Sequence, residues 1–387
     1  MKKKKWIMVI ITFVGILLVA LTSFLFFRIP ENIVSEEVIN QKDFLEDKDA
    51  ILYFSTTADQ DIDGGGKSYA VFVNNKGLSS SFEMGGLELG NIGVDGYRVL
   101  LEDKERFYLV GEGLKKVKRD GYQHTGDSVG YVEHNEGFYA IFNSGYDKET
   151  GDYRSDLYWE EGNDFNKSVI PHFIEASGTQ GNILFLQSTS EDENSYDIYE
   201  TKIGAKTKPK LFSSVEKEAE STTFGQLLVD DENIFFIVQA GANTNMVKIN
   251  KTTKEYKSIP ITKYDNDNSI LYQQTPFSFK RCAFLYNQFV YFIDGFGQVF
   301  KIDTDTYESE LAFSLSKEAL IGDSLEIYQK NDTLYLVTLN HEEQAGLIEQ
   351  YDLVTEKKNR ADKIKNLPKL RTFNKQLYLY DFVILKE

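Results

Sequence analysis

One local pattern returns along almost the whole chain: a turn-forming residue or two, then a short strand dense in Tyr, Phe and aliphatic residues. Its instances are Ala50–Phe54, Arg106–Val110, Gly137–Phe142, Asn182–Leu186, Asn233–Val238, Gln288–Ile293, Thr333–Val337 and Gln376–Tyr380. Several lead into a further strand that ends in a charged turn, as at Met246–Asn250, Gly297–Asp303 and Ile348–Leu353. A spacing of roughly 30 to 55 residues marks a repeat architecture. Alternation with period two and turns rich in Gly, Asn and Asp make each repeat a small antiparallel sheet. Such sheets hide their edges and bury their aromatic faces when they are arranged radially. The expected fold is therefore all-β, a β-propeller. The final segment, Lys369–Leu385, has room for only two or three strands, and ring closure would join it to N-terminal strands. That leaves seven blades, with eight as the alternative count. Ser214–Glu220 is expected to be a loop between blades.

A different signal precedes the repeats. Trp6–Phe27 carries no charge, follows Lys2–Lys5, and as a helix would be about 33 Å long, enough to cross a bilayer. Lysines before a first apolar segment stay in the cytoplasm, so the C-terminal body is expected outside it. The run is longer than the apolar region of a secretory signal, and bulky Leu25–Arg28 follows it instead of a small-residue cleavage site. The expected organisation is a basic cytoplasmic segment over 1–5, one N-terminal transmembrane helix acting as a signal-anchor over 6–27, an acidic tether over 28–49, and an extracytoplasmic propeller over 50–387. The anchor makes the lipid bilayer one partner.

The formal charge of −17 conceals an asymmetry. The first 28 residues hold five cations and no acid, which leaves 38 Lys and Arg against 60 Asp and Glu in the body. That balance disfavours nucleic acid and anionic lipid as partners of the body, since both need positive surface. The single cysteine, Cys282, precludes an internal disulfide, so an exported body of this size must gain its stability from burial. Cys282 stands in an apolar stretch and is expected to be a small buried residue.

Few motifs point to chemistry. Asp59, Asp61 and Asp63, followed by Gly64, match the opening of a calcium loop, in which alternating carboxylates converge on one hard cation. The late acidic ligand is missing, because Lys67 and Ala70 occupy the ninth and twelfth positions. Calcium is the only cofactor the residues suggest. Gly126-Asp-Ser128-Val-Gly130 fits the nucleophile elbow of serine hydrolases, but that elbow requires a helix after the serine, and another strand follows here. His124, His134, His172 and His341 lack metal-ligand spacing, and Trp159 is expected to pack between blades.

Tyr291-Phe-Ile-Asp294 followed by Val299-Phe-Lys-Ile-Asp303 resembles the degenerate repeats of YWTD-like and quinoprotein-like bacterial propellers, members of the WD40-like superfamily. The resemblance implies fold far more than function. Quinone docking is disfavoured because Trp6 and Trp159 are the only tryptophans. The expected function is a non-enzymatic binding or protein-interaction module at the cell envelope, taking an envelope protein or small ligand. The alternative is a propeller hydrolase or lyase whose channel site draws residues from several blades. No catalytic residue is assigned.

Overall fold

A computed structural model describes residues 32–132, 137–148, 151–204, 209–264, 280–316, 324–340, 345–368 and 375–386. Among these residues the strands form seven four-stranded antiparallel sheets. Blades are numbered along the chain, and their strands are given from the axis outward. Blade 1 stacks Tyr378–Ile384, Lys48–Ser55, Lys67–Asn74 and Ser79–Gly85. Blade 2 holds Ile92–Val94, Val99–Glu102, Arg106–Val110 and Leu114–Lys118; blade 3 holds Ser128–Val132, Gly137–Asp147, Asp152–Glu161 and Asp164–Ile170. Ala176–Gln180, Ile183–Thr189, Ser195–Lys202 and Lys210–Glu216 make blade 4. In blade 5 the strands are Thr222–Val229, Asn233–Ala240, Asn243–Asn250 and Tyr256–Lys263. Blade 6 comprises Ala283–Tyr286, Phe289–Ile293, Gln298–Asp303 and Ser309–Ser314. Blade 7 comprises Ser324–Lys330, Thr333–Asn340, Ala345–Asp352 and Lys357–Ile364.

The apolar core is divided into wedges, one at each junction between neighbouring blades. Phe107 of blade 2, for example, meets Phe142 and Tyr158 of blade 3, while Phe236 of blade 5 meets Tyr196 of blade 4. Each buried aromatic or aliphatic side chain contributes on the order of 1.5–3 kcal/mol. Because a sheet face finds its complement only on the next blade, no blade completes its own core. Cys282 is fully buried in the wedge between blades 5 and 6, where burial pushes its thiol up to about 12. Trp159 packs between blades 3 and 4.

Closure follows the expected route with one change. Among its described residues the C-terminal segment supplies a single strand, Tyr378–Ile384, and that strand is the innermost of blade 1. The aromatic-rich segments read from the sequence are therefore mostly second strands. Arg106–Val110 is a third strand, and Gln376–Tyr380 overlaps the closing one. The true first strands were invisible because they are short and rich in small residues, as in Ile92-Gly-Val94 and Ala176-Ser-Gly-Thr-Gln180. Space near the axis demands this composition. A Cβ at Gly178 would run into the Leu227 carbonyl of blade 5. Ser214–Glu216, expected in a loop, finish the outer strand of blade 4.

The expected anchor, Trp6–Phe27, lies outside the described residues, and among those described no helix is long and apolar enough to cross a membrane. From residue 32 the expected tether is seated on the propeller. Ile33 bridges Ser81, a short helix Glu36–Ile39 buries Ile39, and Phe44 meets Phe72 edge-on at 4.9 Å.

The closing strand is latched by Asp381, which is almost fully buried. One of its oxygens receives the Arg281 guanidinium of blade 6 at 2.6 Å, and the other accepts the Ile92 N–H of blade 2 at 2.7 Å. Arg281 also donates to the Phe382 carbonyl and lies over the Tyr328 ring of blade 7 at 5.1 Å. Breaking such a pair strands a cation with little solvent, which costs about 3–5 kcal/mol. Asp381→Ala should shift the urea unfolding midpoint downward accordingly. An unchanged midpoint would show that strand pairing alone secures the ring.

Candidate functional site

Within a blade the first and second strands run in opposite directions. Links into each first strand and hairpins between second and third strands therefore gather at one face of the ring. At that face opens a cavity of about 540 Å³, lined by residues of the innermost strands of blades 3 to 7 and of the links into blades 2 and 6. A smaller one of about 270 Å³ shares Val129, Gly130, Gln226, Arg281, Phe284 and Gln329 with it and continues along the axis toward Val383.

Lys280, from the link into blade 6, reaches across this mouth to blade 2. Its ammonium donates to the Leu89 carbonyl at 2.6 Å, to Gly90 at 3.2 Å and to Asn91 Oδ1 at 2.8 Å. Asn91 passes the contact on, donating to Glu102 Oε1 from its side chain and its backbone, each at 3.0 Å. Asp127 lies in the wall and accepts from Asn143 Nδ2 at 3.2 Å. Glu102 Oε2 and Asp127 Oδ2 are buried and have no hydrogen-bond partner among the described residues. Burial pushes both carboxyls up to about 7, although Arg119 and Asn91 pull Glu102 down and Lys280 pulls Asp127 down. Loss of hydration lowers the Lys280 ammonium, against the attraction of Asp381, Glu326 and Glu102.

The sequence-derived candidates occupy the same face in other roles. Ser128 of the Gly126–Gly130 motif begins the innermost strand of blade 3 and shares a 2.8 Å hydrogen bond with Ser177 Oγ. Among the described residues no histidine is recorded as its partner: His124 lies edge-on to Tyr122 at 4.8 Å and His172 stacks on Tyr199 at 4.2 Å. His134 and His341 lie outside the described residues.

Asp59, Asp61 and Asp63 sit in and beside a short 3₁₀ turn, Ala58–Asp61, in the loop joining the second and third strands of blade 1. They do not converge. Asp61 takes both Lys104 contacts at 2.9 Å, the Tyr122 hydroxyl at 2.9 Å and the Gly66 N–H. Burial alone would raise its carboxyl, but these donors hold it below the usual range. Asp63 accepts from the Gly65 N–H at 2.9 Å and from Lys375 at 3.3 Å. Among the described residues no group of three or more His, Cys, Asp or Glu is placed to hold a metal ion. Asp61 and Asp63 bind the chain's own cations, and Asp61 ties blade 1 to blade 2 through Lys104.

A further feature of this face left little trace in the sequence. The hairpin formed by Gly137–Asp147 and Asp152–Glu161 exposes Tyr146 (57%) and Tyr153 (56%), and the link to blade 4 exposes Phe173 (46%). Their rings touch in sequence, Tyr146 to Tyr153 at 5.6 Å and Tyr153 to Phe173 at 6.1 Å. The tyrosines at 146 and 153 were the available sequence signal.

The raised carboxyls fix a pH dependence. An acid whose folded pKa lies above its unfolded value binds a proton more readily in the folded state, so stability falls as pH rises between the two values and is level above the folded one. For Asp127 and Glu102 that window runs from about 4, the ordinary carboxylate range, to about 7. Asp127→Asn should flatten this part of a thermal midpoint measured against pH. A variant as steep as the parent would show that the carboxyl is solvated.

Comparison with known proteins places this architecture. The family described as "YycP, beta-propeller domain" matches residues 43–385. The chain is 39% identical over 389 residues to the uncharacterized protein YycP of Bacillus subtilis strain 168, covering 99% of each. Among solved structures it is similar to a protein from Lactobacillus plantarum, with a TM-score of 0.55, 12% identity, and coverage of 88% of this chain and all of that one. It is also similar to a puromycin hydrolase S511A mutant complexed with PGG, with a TM-score of 0.52, 10% identity, and coverage of 81% of this chain and 52% of that one. At such identities the likeness to these structures is one of fold. The chain belongs to the bacterial YycP β-propeller family.

Proposed function

We propose that this protein is a non-enzymatic binding module, tethered to the membrane by Trp6–Phe27, that meets an envelope protein through the face bearing the channel mouth. The carrying observation is the contiguous aromatic cluster Tyr146, Tyr153 and Phe173 on the projecting hairpin of blade 3. Aromatic side chains are enriched at interfaces, and a rigid ring presents them at little ordering cost. The polar groups of the channel support this reading. Lys280 spends its hydrogen bonds on backbone and Asn91, so it is not set up as a base. The buried Asp294 accepts the N–H groups of Phe296 and Gln298 at 3.0 and 2.8 Å, a structural use that supports kinship with YWTD-like repeats.

One observation favours a channel hydrolase or lyase instead. Asp127 and Glu102 have carboxyls near 7 in or behind the channel wall, which suits a general acid or base.

Site-specific photocrosslinking in the native envelope separates these readings. A photoreactive residue at position 153 should trap a discrete protein partner, whereas one at Glu216 on the outer strand of blade 4 should not. Trapping through a second probe at Phe173 should fall about tenfold or more in a Tyr146→Ala/Tyr153→Ala variant, as expected for interface anchors. No adduct from either probe would remove the binding reading.

A further inference from the structure

The body is strongly acidic, yet one part of its rim is not. The outer strand of blade 7, Lys357–Ile364, reads Lys-Lys-Asn-Arg-Ala-Asp-Lys-Ile, and its Lys357, Lys358, Arg360 and Lys363 are exposed. Blade 1 meets this strand through its turn between third and outer strands. Leu78 bridges Lys365, and the Lys365 N–H donates to the Gly77 carbonyl at 2.8 Å. Between the two blades lies a cleft of about 360 Å³ whose lining includes Lys76, Arg360, Lys363, Lys365 and Lys386, against the acids Asp49 and Asp362. Asp362 is engaged by Arg360 at 2.8 Å. Lys76, Lys357, Lys363 and Lys365 make no ion pair among the described residues, so their charge is available to something outside the chain.

The N-terminal segment arrives at this same place. Asn32 donates from its side chain to the Asn366 carbonyl at 3.0 Å, Ser79 Oγ donates to that carbonyl at 2.6 Å, and the Ser81 N–H donates to Asn32. The apolar run ends at Phe27, only five residues before Asn32. Fully extended, five residues span at most about 17 Å. A propeller on so short a leash cannot turn freely above a bilayer. On the tether proposed above, the junction of blades 7 and 1 is the part of the rim held within reach of the headgroups.

We infer that the cleft between blades 7 and 1 docks on anionic phospholipid headgroups beside the protein's own anchor. The inference rests on the membrane tether proposed above. Phosphate oxygens match the unpaired lysines, and each basic residue near an anionic surface adds on the order of 1 kcal/mol. The rest of the body, repelled by the same surface, is held off it. Lipid at the rim also leaves the aromatic face of blade 3, across the ring, clear of the membrane.

The test uses the full chain in nanodiscs of phosphatidylcholine, with or without phosphatidylglycerol. Cys282 is buried, so a fluorophore can be placed on an introduced cysteine. Asn359→Cys marks the basic rim and Glu216→Cys the outer strand of blade 4. Headgroup spin-labelled lipid should quench the rim probe severalfold more than the distant one. The difference should grow with phosphatidylglycerol, and Lys76→Glu/Lys363→Glu/Lys365→Glu should abolish that growth. Equal quenching of the two probes, or a rim signal indifferent to lipid charge and to the triple variant, would overturn the lipid site while leaving the tether intact. A chain that fails to enter the nanodiscs would overturn the tether and the lipid site with it.

Discussion

Everything in this molecule depends on a bond between its two ends. Seven sheets can bury their aromatic faces only against one another, so each wedge of core exists only while the ring is shut. The strand Tyr378–Ile384 shuts it, pairing with Lys48–Ser55 across more than 300 residues of chain. Asp381 places a buried carboxylate in that strand where Arg281 and the Ile92 N–H can both reach it. An ion pair here defines register in a way apolar packing does not. A slip of one residue would turn Asp381 away from its partners and flip every neighbouring side chain to the wrong face.

Closure also dictates the composition of the axis. Seven innermost strands converge on a narrow space, and only small residues such as Gly93, Gly130 and Gly178 allow them to approach. Small residues leave a polar backbone and a cavity where larger side chains would have filled the centre. The carboxyls of Glu102 and Asp127 and the ammonium of Lys280 are buried in this region. Burial at the axis shifts all three groups, which the ring gathers from blades 2, 3 and 6.

Fold and site were unequally legible for the same reason. The second strands announced themselves, because strands such as Asn233–Ala240 are buried along their whole length and must be apolar. The first strands did not, since Ser128-Val-Gly-Tyr-Val132 is shaped by crowding at the axis and reads like a loop. Blade count could be inferred from the truncated C-terminal segment, but the position of the closing strand could not. Site residues were harder still. Lys280 meets Asn91 from 189 positions away, and neither stands in a motif. The Asp59–Asp63 spacing is that of a calcium loop, yet Lys104 and Lys375 arrive from other parts of the chain to take those carboxylates. Local spacing cannot foresee a distant cation.

The run of basic residues at Lys357 illustrates the point from the other side. In the sequence it is a modest cluster within an acidic body, and Lys76 lies far from it. Closure of the ring brings the first and last blades together, and with them two sets of lysines and the segment that follows the apolar N-terminal run. The first and last blades of any closed propeller must be neighbours, so a chain tethered at its N-terminus always hangs from that junction. Positive charge gathered there is what a body needs if it is to lean on an anionic membrane at one edge and keep its opposite edge free for a partner.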